Sequence, residues 1–176
     1  MTTHYFTASS LDGFIATPEH SLEWLLKQDF DEEGPMAYPV FIETIGALAM
    51  GSSTYEWVMR NEEGRWGYTQ PTWVFTHREL AAPDAGDVRF TQSDVREVHA
   101  EMVEAAGGKD LWIVGGGDLA GQFADAGLLD EVWLQYAPVT LGAGAPVLPR
   151  TLDLELVEFA RNKSFLCGRY RVQSSQ

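Results

Sequence analysis

The sequence predicts an α/β fold in which a mostly parallel central sheet has helices on both faces and an antiparallel hairpin at one edge. Up to about residue 130, short apolar strands alternate with helical stretches, an order typical of parallel strand pairing. Beyond about residue 150 only strand patterns remain, and such a run adds antiparallel pairing at a sheet edge. The 176 residues, of which 45% are hydrophobic and 22% charged, suit one domain spanning 1–176.

The predicted strands are short apolar runs bounded by glycine, proline or polar residues. They span residues 5–8, 14–16, 47–50, 72–76, 88–91, 111–114, 131–139, 154–160 and 165–172. The last two are joined by residues 161–164, which predicts a hairpin with four connecting residues.

The helices are predicted from apolar residues at helical spacing and from residues that typically begin or end a helix. Ser21 is predicted to cap a short helix. Pro35 is predicted to begin the next helix and Gly46 to end it. Asp94 and Glu97 have the spacing of a capping box, which predicts the start of a later helix.

The chain is strongly acidic, with a formal net charge of −14 from 12 basic and 26 acidic residues. This charge argues against nucleic acid or an anionic membrane as a partner, because binding to phosphate needs clustered lysine and arginine. The acidic stretch 29–34 lacks metal-ligand spacing, so we interpret it and the polar stretch 61–70 as surface loops and predict no metal site. The cysteine, Cys167, is interpreted as a core residue. Without a signal-peptide pattern or a membrane-length apolar run, the cytoplasm is the expected compartment.

Two strand-to-helix junctions are rich in glycine and other small residues. The strand 111–114 is followed by Gly115, Gly116 and Gly117, after which apolar residues recur at helical spacing. A helix that begins at such a turn presents free backbone N–H groups and a positive dipole end, which suit a phosphate or pyrophosphate. Residues 51–54 form a second junction of this kind. For both junctions, a tight turn or a simple helix cap is the alternative.

The ends of the predicted parallel strands should meet at one crevice, because ligands in such sheets bind beyond the carboxyl ends of the strands. The strand ends concerned are Ala8, Met50, Thr76 and Gly115. His77 and Arg78 follow Thr76 directly, and an arginine at this place can bind a ligand phosphate in a bidentate manner. The alternative is a pair of exposed loop charges.

Six stretches follow one another in an order that spans nearly the whole chain. They are ASSLDGFIA (8–16), AMGSSTY (49–55), WVFTHR (73–78), IVGGGDL (113–119), LDEVWL (129–134) and PVTLGAGAP (138–146). Together they resemble the dihydrofolate reductase superfamily, specifically the branch related to the reductase domain of bacterial riboflavin biosynthesis enzymes. The resemblance implies a three-layer sandwich, a cis peptide bond between Gly116 and Gly117, and a nicotinamide cofactor. That cofactor is usually NADPH, and NADH stays open.

By resemblance, the cofactor contacts one set of residues at the predicted crevice. The set is Ala8, Ile15, Gly51, Ser52, Ser53, Thr54, Thr76, His77, Arg78, Val114, Gly115, Gly116, Gly117, Asp118, Leu119 and Gln122. Ala8 and Ile15 would line the nicotinamide pocket. Residues 51–54 and 115–119 would hold the pyrophosphate and ribose region, and residues 76–78 would hold the 2′-phosphate end.

Three residues are expected to face the substrate. Asp12 is the candidate catalytic residue, although aspartate is also typical of a turn. Trp24 is interpreted as a pocket wall, with a place in the core as the alternative. Gln135 matches a substrate-side position of the folate enzymes, but the polarity of an exposed strand explains it equally well.

The chain departs from the family pattern in two places. Folate reductases usually have a carboxylate on the first long helix, whereas the matching region 34–36 has none, so we expect water to deliver the proton. Position 52, often basic in those enzymes, is a serine, which leaves Arg78 as the main basic candidate for a 2′-phosphate. The signature of the zinc deaminase domain found in riboflavin enzymes is missing, so a stand-alone reductase is expected.

We therefore expect an NADPH-dependent reductase acting on a small polar heterocycle, like dihydrofolate reductase or 5-amino-6-(5-phosphoribosylamino)uracil reductase, or on a related carbonyl or imine. One alternative is a non-catalytic nucleotide-binding or dimerisation domain that kept the fold and lost the activity. A Rossmann dehydrogenase fits less well, because its glycine fingerprint would come late in the chain and Gln135 stands where an acid is required. Antiparallel edge strands and exposed aromatic residues favour a homodimer.

Overall fold

The computed structural model describes residues 1–173, in which strands and helices alternate along the chain. The strands are β1 (Thr3–Ser9), β2 (Phe14–Ala16), β3 (Ile45–Gly51), β4 (Thr72–Phe75), β5 (Val88–Thr91), β6 (Asp110–Gly115), β7 (Glu131–Tyr136), β8 (Ala145–Pro146), β9 (Leu154–Asn162) and β10 (Phe165–Val172). The helices are α1 (Glu23–Leu26), α2 (Tyr38–Glu43), α3 (Ser52–Asn61), α4 (Val95–Ala105) and α5 (Gly117–Asp125). None of the helices in this described part is long and apolar enough to cross a membrane.

Eight of the strands form one sheet in the order β5–β4–β3–β6–β1–β7–β10–β9. From β5 to β7 every neighbouring pair is parallel, whereas β10 is antiparallel to both β7 and β9. Strands β2 and β8 form a separate antiparallel pair. The predicted α/β class, with a mostly parallel sheet and an antiparallel hairpin at its edge, is confirmed.

Helices pack on both faces of this sheet. Successive side chains of a strand point to opposite faces, and in β3 both sets are buried under helices. In β3, Ala47 and Ala49 belong to the apolar cluster that contains residues of α4 and α5. Leu48 and Met50, on the opposite face of the same strand, belong to clusters that contain residues of α2 and α3. The sheet is therefore the middle of three layers, and only its edges and strand ends remain free to bind a ligand.

Helix α2 differs from its prediction at both ends. It begins at Tyr38 rather than at Pro35, and it ends at Glu43, so that Gly46 lies inside β3. A side chain at Gly46 would overlap the backbone of Ala106. This glycine therefore reflects the close packing of β3 against the end of α4, and the prediction that it ends a helix is wrong.

The predicted caps have different outcomes. Ser21 is not the N-cap of α1, because Leu22 occupies that position. The Oγ atom of Ser21 nevertheless accepts a hydrogen bond from the Glu23 N–H at 3.3 Å. Asp94 is confirmed as the N-cap of α4, where its carboxylate accepts a hydrogen bond from the Arg96 N–H at 2.9 Å.

The last part of the chain is more tightly connected than predicted. Strand β7 ends at Tyr136 and not at residue 139, since Pro138 has no N–H group to donate to a neighbouring strand. Asn162 pairs with Phe165, so residues 163–164 alone connect β9 to β10. The predicted hairpin is thus confirmed with a turn of two residues instead of four.

Candidate active site

The two glycine junctions lie side by side, because β3 and β6 are neighbours in the sheet. They open onto a cavity of about 1060 Å³ beyond the carboxyl ends of the parallel strands, the usual ligand position in such sheets. All the predicted cofactor residues except Ala8 and Arg78 line this cavity, namely Ile15, Gly51, Ser52, Ser53, Thr54, Thr76, His77, Val114, Gly115, Gly116, Gly117, Asp118, Leu119 and Gln122.

The two exceptions have neighbours on the cavity wall. In β1 the lining residue is Thr7, one position before Ala8, and successive side chains of a strand point to opposite faces. Arg78 lines an adjoining cavity of about 410 Å³, which shares Thr76 and Thr91 with the larger one. The structure therefore brings the predicted set together at one edge of the sheet, with Arg78 next to the main cavity.

Backbone donors from two helices face this cavity. In α5 the first intrahelical bond runs from the Ala120 N–H to the Gly116 carbonyl at 3.1 Å, so the amides of residues 117–119 have no partner within the helix. Helix α3 begins at Ser52, directly after Gly51. Both N-cap residues are glycines without a capping side chain, which leaves these donors to a bound anion.

A close approach of two backbones requires glycine at position 117. A Cβ on Gly117 would overlap the carbonyl oxygens of Pro146 and Val147. The phenol of Tyr5 donates to the same Val147 carbonyl at 2.7 Å and holds this segment in place. The first turn of α5 is therefore packed against a fixed stretch of backbone at the cavity wall.

The cis peptide bond lies one residue earlier than the resemblance implied. It joins Gly115 to Gly116, and not Gly116 to Gly117. Gly115 is the last residue of β6 and Gly117 is already the first residue of α5, so the bond falls at the end of the strand and outside the helix.

Asp12 holds a loop and does not line the cavity. Its carboxylate accepts hydrogen bonds from the Ser10 hydroxyl at 2.6 Å and from the N–H groups of Leu141 and Gly142 at 3.0 and 2.8 Å. These hydrogen bonds, the one from Ser10 foremost, lower the pKa of Asp12 to about 2. An ionised carboxylate has no proton to donate at neutral pH, so we do not propose Asp12 as the catalytic acid.

Trp24 and Gln135, the other two residues expected at the substrate, are buried away from the cavity. Trp24 packs with Ala137 and Cys167 in a small apolar cluster, so its interpretation as a pocket wall is wrong. The Nε2 atom of Gln135 donates to the Met36 carbonyl at 2.8 Å and joins β7 to the segment before α2. Gln135 is therefore not an exposed strand residue either, whereas the placement of Cys167 in the core is confirmed.

The cavity is also lined by four side chains that the sequence motifs do not include, of which three are apolar or aromatic and one is a threonine of β1. They are Thr7, Leu22, Trp57 and Tyr68. Trp57 follows Ser53 by four residues on α3, so helical spacing from the junction could have found it. Tyr68 lies in the stretch interpreted as a surface loop, but its ring is 5.9 Å from that of Trp112 in the core. Burial raises the pKa of the Tyr68 phenol, which stays protonated at neutral pH.

Where the cavity meets the ends of β4 and β5 its lining is polar, and an ion pair lies at its wall, with Glu56 inside the cavity and Arg78 beside it. The NH1 and NH2 atoms of Arg78 donate to the two carboxylate oxygens of Glu56 at 3.1 and 2.9 Å. This bidentate pair joins the end of β4 to α3. It lowers the pKa of Glu56 and raises that of Arg78. The main basic candidate for a 2′-phosphate is thus already paired with a carboxylate.

The acidic loop 29–34 is ordered by a buried asparagine. The side chain of Asn162 accepts a hydrogen bond from the Asp31 N–H at 2.9 Å and donates to the carbonyls of Asp31 and Pro35. The carboxylates of the loop remain exposed. In residues 1–173, no group of three or more His, Cys, Asp or Glu side chains is arranged to hold a metal ion.

The comparison with known families agrees with this geometry. Residues 58–169 match the family model described as the RibD C-terminal domain. The chain belongs to this family. The RibD C-terminal domain is a reductase domain, so the resemblance that the motifs carry is confirmed, and the chain is a reductase-like protein.

Relatives of the RibD C-terminal domain family extend over nearly the whole chain. The uncharacterized protein YwjB of Bacillus subtilis (strain 168) is 33% identical over 93% of this chain and 91% of YwjB. The riboflavin biosynthesis protein RibD of Corynebacterium ammoniagenes is 32% identical over 92% of this chain, which spans 49% of that relative. A solved structure from Shewanella sp. PV-4, provisionally named as a riboflavin biosynthesis protein, superposes with a TM-score of 0.83 at 24% identity and covers 99% of this chain and 100% of that one. This likeness supports the fold alone.

Proposed function

We propose that the protein is a reductase that transfers hydride from NADPH or NADH to a small flat heterocycle of the pyrimidine or pterin class. The observation that carries this proposal is the pair of helix N-termini, those of α3 and α5, that open without side-chain caps onto one cavity. Two groups of free amides suit the pyrophosphate of a dinucleotide. In a chain with a net charge of −14, such backbone donors provide attraction for an anion that the side chains as a whole do not.

The residues at the two junctions fit a nicotinamide dinucleotide. The amides of residues 52–54 and 117–119 would hold the phosphates, and glycine at position 51 leaves the backbone open to close approach. Ile15 forms an apolar wall next to Gly116. A Cβ atom placed on Gly116 would lie 3.6 Å from the Cδ1 atom of Ile15. When bound, the nicotinamide supplies the hydride, while the protein supplies orientation and exclusion of water.

The aromatic part of the cavity lining suits a planar substrate. Trp57 and Tyr68 provide aromatic surfaces, and the protonated Tyr68 phenol can donate a hydrogen bond to a ring oxygen or nitrogen. The carboxylates that line the cavity are Glu19, Glu56 and Asp118. A carboxylic acid that donates a proton at neutral pH is usually buried, because burial raises its pKa. None of these three carboxylates is buried, so we propose that water delivers the proton.

Ser52→Glu is expected to weaken the binding of NADH and NADPH by about tenfold or more, because it places a carboxylate beside the donors at the start of α3. An acidic residue at a helix N-terminus is compatible with the helix dipole, so the fold should persist. Dissociation constants would be measured by quenching of tryptophan fluorescence. Thr151→Glu, at an exposed position outside the cavity, is the matched control.

Two outcomes would count against this function. If neither dinucleotide binds at millimolar concentration, the proposal is refuted. If either binds but is not oxidised in the presence of pyrimidines, pterins or quinones, the alternative of a non-catalytic nucleotide-binding domain is favoured.

The edge hairpin offers a surface for a second copy of the chain. Large exposed apolar side chains share one face of β9 and β10, and they are Leu154, Leu156, Phe159 and Leu166. The opposite face carries the ion pairs of Arg169 with Glu158 and of Arg171 with Glu155. Two strongly acidic chains repel each other least where apolar residues replace charges, and an apolar patch is complementary to itself. We propose that the protein forms a homodimer through this open sheet face.

Phe159→Arg is expected to convert the dimer to a monomer. Phe159 is 71% exposed in the single chain, and an arginine at this position in both copies would place two like charges at the interface. Light scattering after size-exclusion chromatography should give about twice the 19.6 kDa chain mass for the wild type and the single mass for the variant. Val40→Arg, an exposed apolar position on α2, is the control and should stay dimeric. A monomeric wild type would refute the homodimer, and a dimeric Phe159→Arg would refute this interface.

A further inference from the structure

The aromatic and the polar parts of the cavity lining orient a dinucleotide, given the proposed function, on which this inference rests. A ring that exchanges hydride lies against its planar substrate, and Trp57 and Tyr68 provide aromatic surfaces for such a pair of rings. The adenosine part then lies at the polar end, which is lined by Thr76, His77 and Gln92. The 2′ position of its ribose, a hydroxyl in NADH and a phosphate in NADPH, is therefore contacted by side chains near the end of β4.

The arginine at this end is already engaged by a carboxylate. Both terminal nitrogens of Arg78 donate to Glu56. The two N–H groups that face Glu56 are therefore not available to a phosphate. Glu56 lines the main cavity, whereas Arg78 does not. A ligand at this end therefore meets the Glu56 carboxylate first, and a 2′-phosphate would have to displace it or lie beside its negative charge.

The remaining charges on the cavity wall do not reverse this preference. The ionisable residues that line the cavity are Glu19, Glu56, Arg60, Asp118, His20 and His77. Three of them are carboxylates and one is an arginine. Arg60 lies one helical turn beyond Glu56 on α3, at the far end of the helix from the glycine junction. Ser52, at the junction itself, adds no positive charge.

We propose that Glu56 sets the cofactor preference of this protein toward NADH. Its carboxylate accepts hydrogen bonds from the ribose hydroxyls, which is the way acidic residues select NADH at strand ends in other α/β sheets. By holding Arg78 it also removes the guanidinium that a 2′-phosphate needs. The preference thus combines attraction for one dinucleotide with repulsion of the other, and both effects come from one side chain.

The test compares the dissociation constants of NADH and NADPH for the full chain and its variants. The wild type is expected to bind NADH about fivefold more tightly or better, and Glu56→Gln, which keeps the side-chain shape but frees Arg78, should tighten NADPH binding by about tenfold. Adding Arg78→Ala to Glu56→Gln should abolish that gain, because the gain comes from the freed guanidinium. Glu79→Gln removes a neighbouring carboxylate outside the pair, and it should leave the ratio of the two constants within about twofold.

A wild type that binds NADPH more tightly overturns this inference and leaves the proposed function standing. The same holds if Glu56→Gln does not change the ratio, or if the double variant keeps the gain. If neither dinucleotide binds to any form, the proposed function and this inference fail together, so the two failures are distinguishable. Far-UV circular dichroism of each variant confirms that the fold is retained.

Discussion

Replacing Gly117 by alanine is expected to lower the free energy of unfolding by about 1–3 kcal/mol and to weaken dinucleotide binding by about tenfold or more. The new Cβ would overlap the carbonyl oxygens of Pro146 and Val147, which are backbone atoms and cannot rotate away. Tyr5 fixes the Val147 carbonyl, so the helix is the part that has to move. The free amides of α5 would then lose their position at the cavity. Urea unfolding and titration with NADH and NADPH measure the two effects.

Gly51→Ala is the matched variant at the start of α3. A Cβ on Gly51 would lie 3.8 Å from the Gly115 carbonyl oxygen, which is an ordinary contact. We expect its unfolding free energy to change by less than about 1 kcal/mol. If Gly117→Ala is as stable as Gly51→Ala, the packing of α5 against residues 146–147 does not constrain this position.

Replacing Glu131 by glutamine is expected to destabilise the fold by about 2–4 kcal/mol at pH 7. Glu131 is buried, and its two carboxylate oxygens accept hydrogen bonds from Nε and NH2 of Arg169 at 2.8 and 3.0 Å. The ring of His4, which is also buried, lies 3.3 Å from the same carboxylate. A neutral amide leaves the Arg169 charge without its buried partner and presents an NH₂ group to donors. Chemical denaturation of both proteins at pH 7 measures the loss.

The same carboxylate predicts a pH dependence with a definite sign. Burial raises the pKa of Glu131, but the hydrogen bonds and charge of Arg169, with the contributions of His4 and Trp133, lower it more, so the net pKa is below its ordinary value. A carboxyl group with a lowered pKa in the folded state stabilises it above the unfolded pKa of about 4.3 and loses this effect as the pH falls through the folded value. The difference between the wild type and Glu131→Gln should therefore be full at pH 7 and shrink below about pH 4.

Glu158→Gln is the control for this prediction. Glu158 is the exposed partner of Arg169, at 3.8 Å, and its loss should cost less than about 1 kcal/mol. If Glu131→Gln and Glu158→Gln destabilise the protein equally, burial of the Glu131 carboxylate is not the source of its effect.

The elements that the sequence predicted well are those set by neighbouring residues. Asp94 caps α4 through a hydrogen bond two residues away, and Gly115–Gly117 are placed by the change from strand to helix periodicity. The shared cavity of the two junctions follows from strand order in a parallel sheet, for which general rules exist. The fold class and the outline of the candidate cofactor site therefore follow from local patterns of residues together with these rules.

The roles that the sequence did not predict depend on distant partners. Asp12 bonds to residues 141–142, Gln135 bonds to Met36, and Gly46 is glycine because of Ala106. No local pattern indicates these contacts, because each joins segments that are far apart along the chain. The pairing of Arg78 with Glu56 is of the same kind, and it changes the interpretation of the main basic candidate for a 2′-phosphate.

The position of β1 has a consequence for how the chain reaches its native state. This strand precedes both of its partners along the chain, since Tyr5 pairs with Ile113 on one side and with Val132 on the other. Its hydrogen-bonding groups find their neighbours only when most of the polypeptide has been synthesised. Such high contact order slows folding and leaves β1, with the side chains of Tyr5 and Phe6 that the fold buries, unpaired on the nascent chain, where chaperones can bind it.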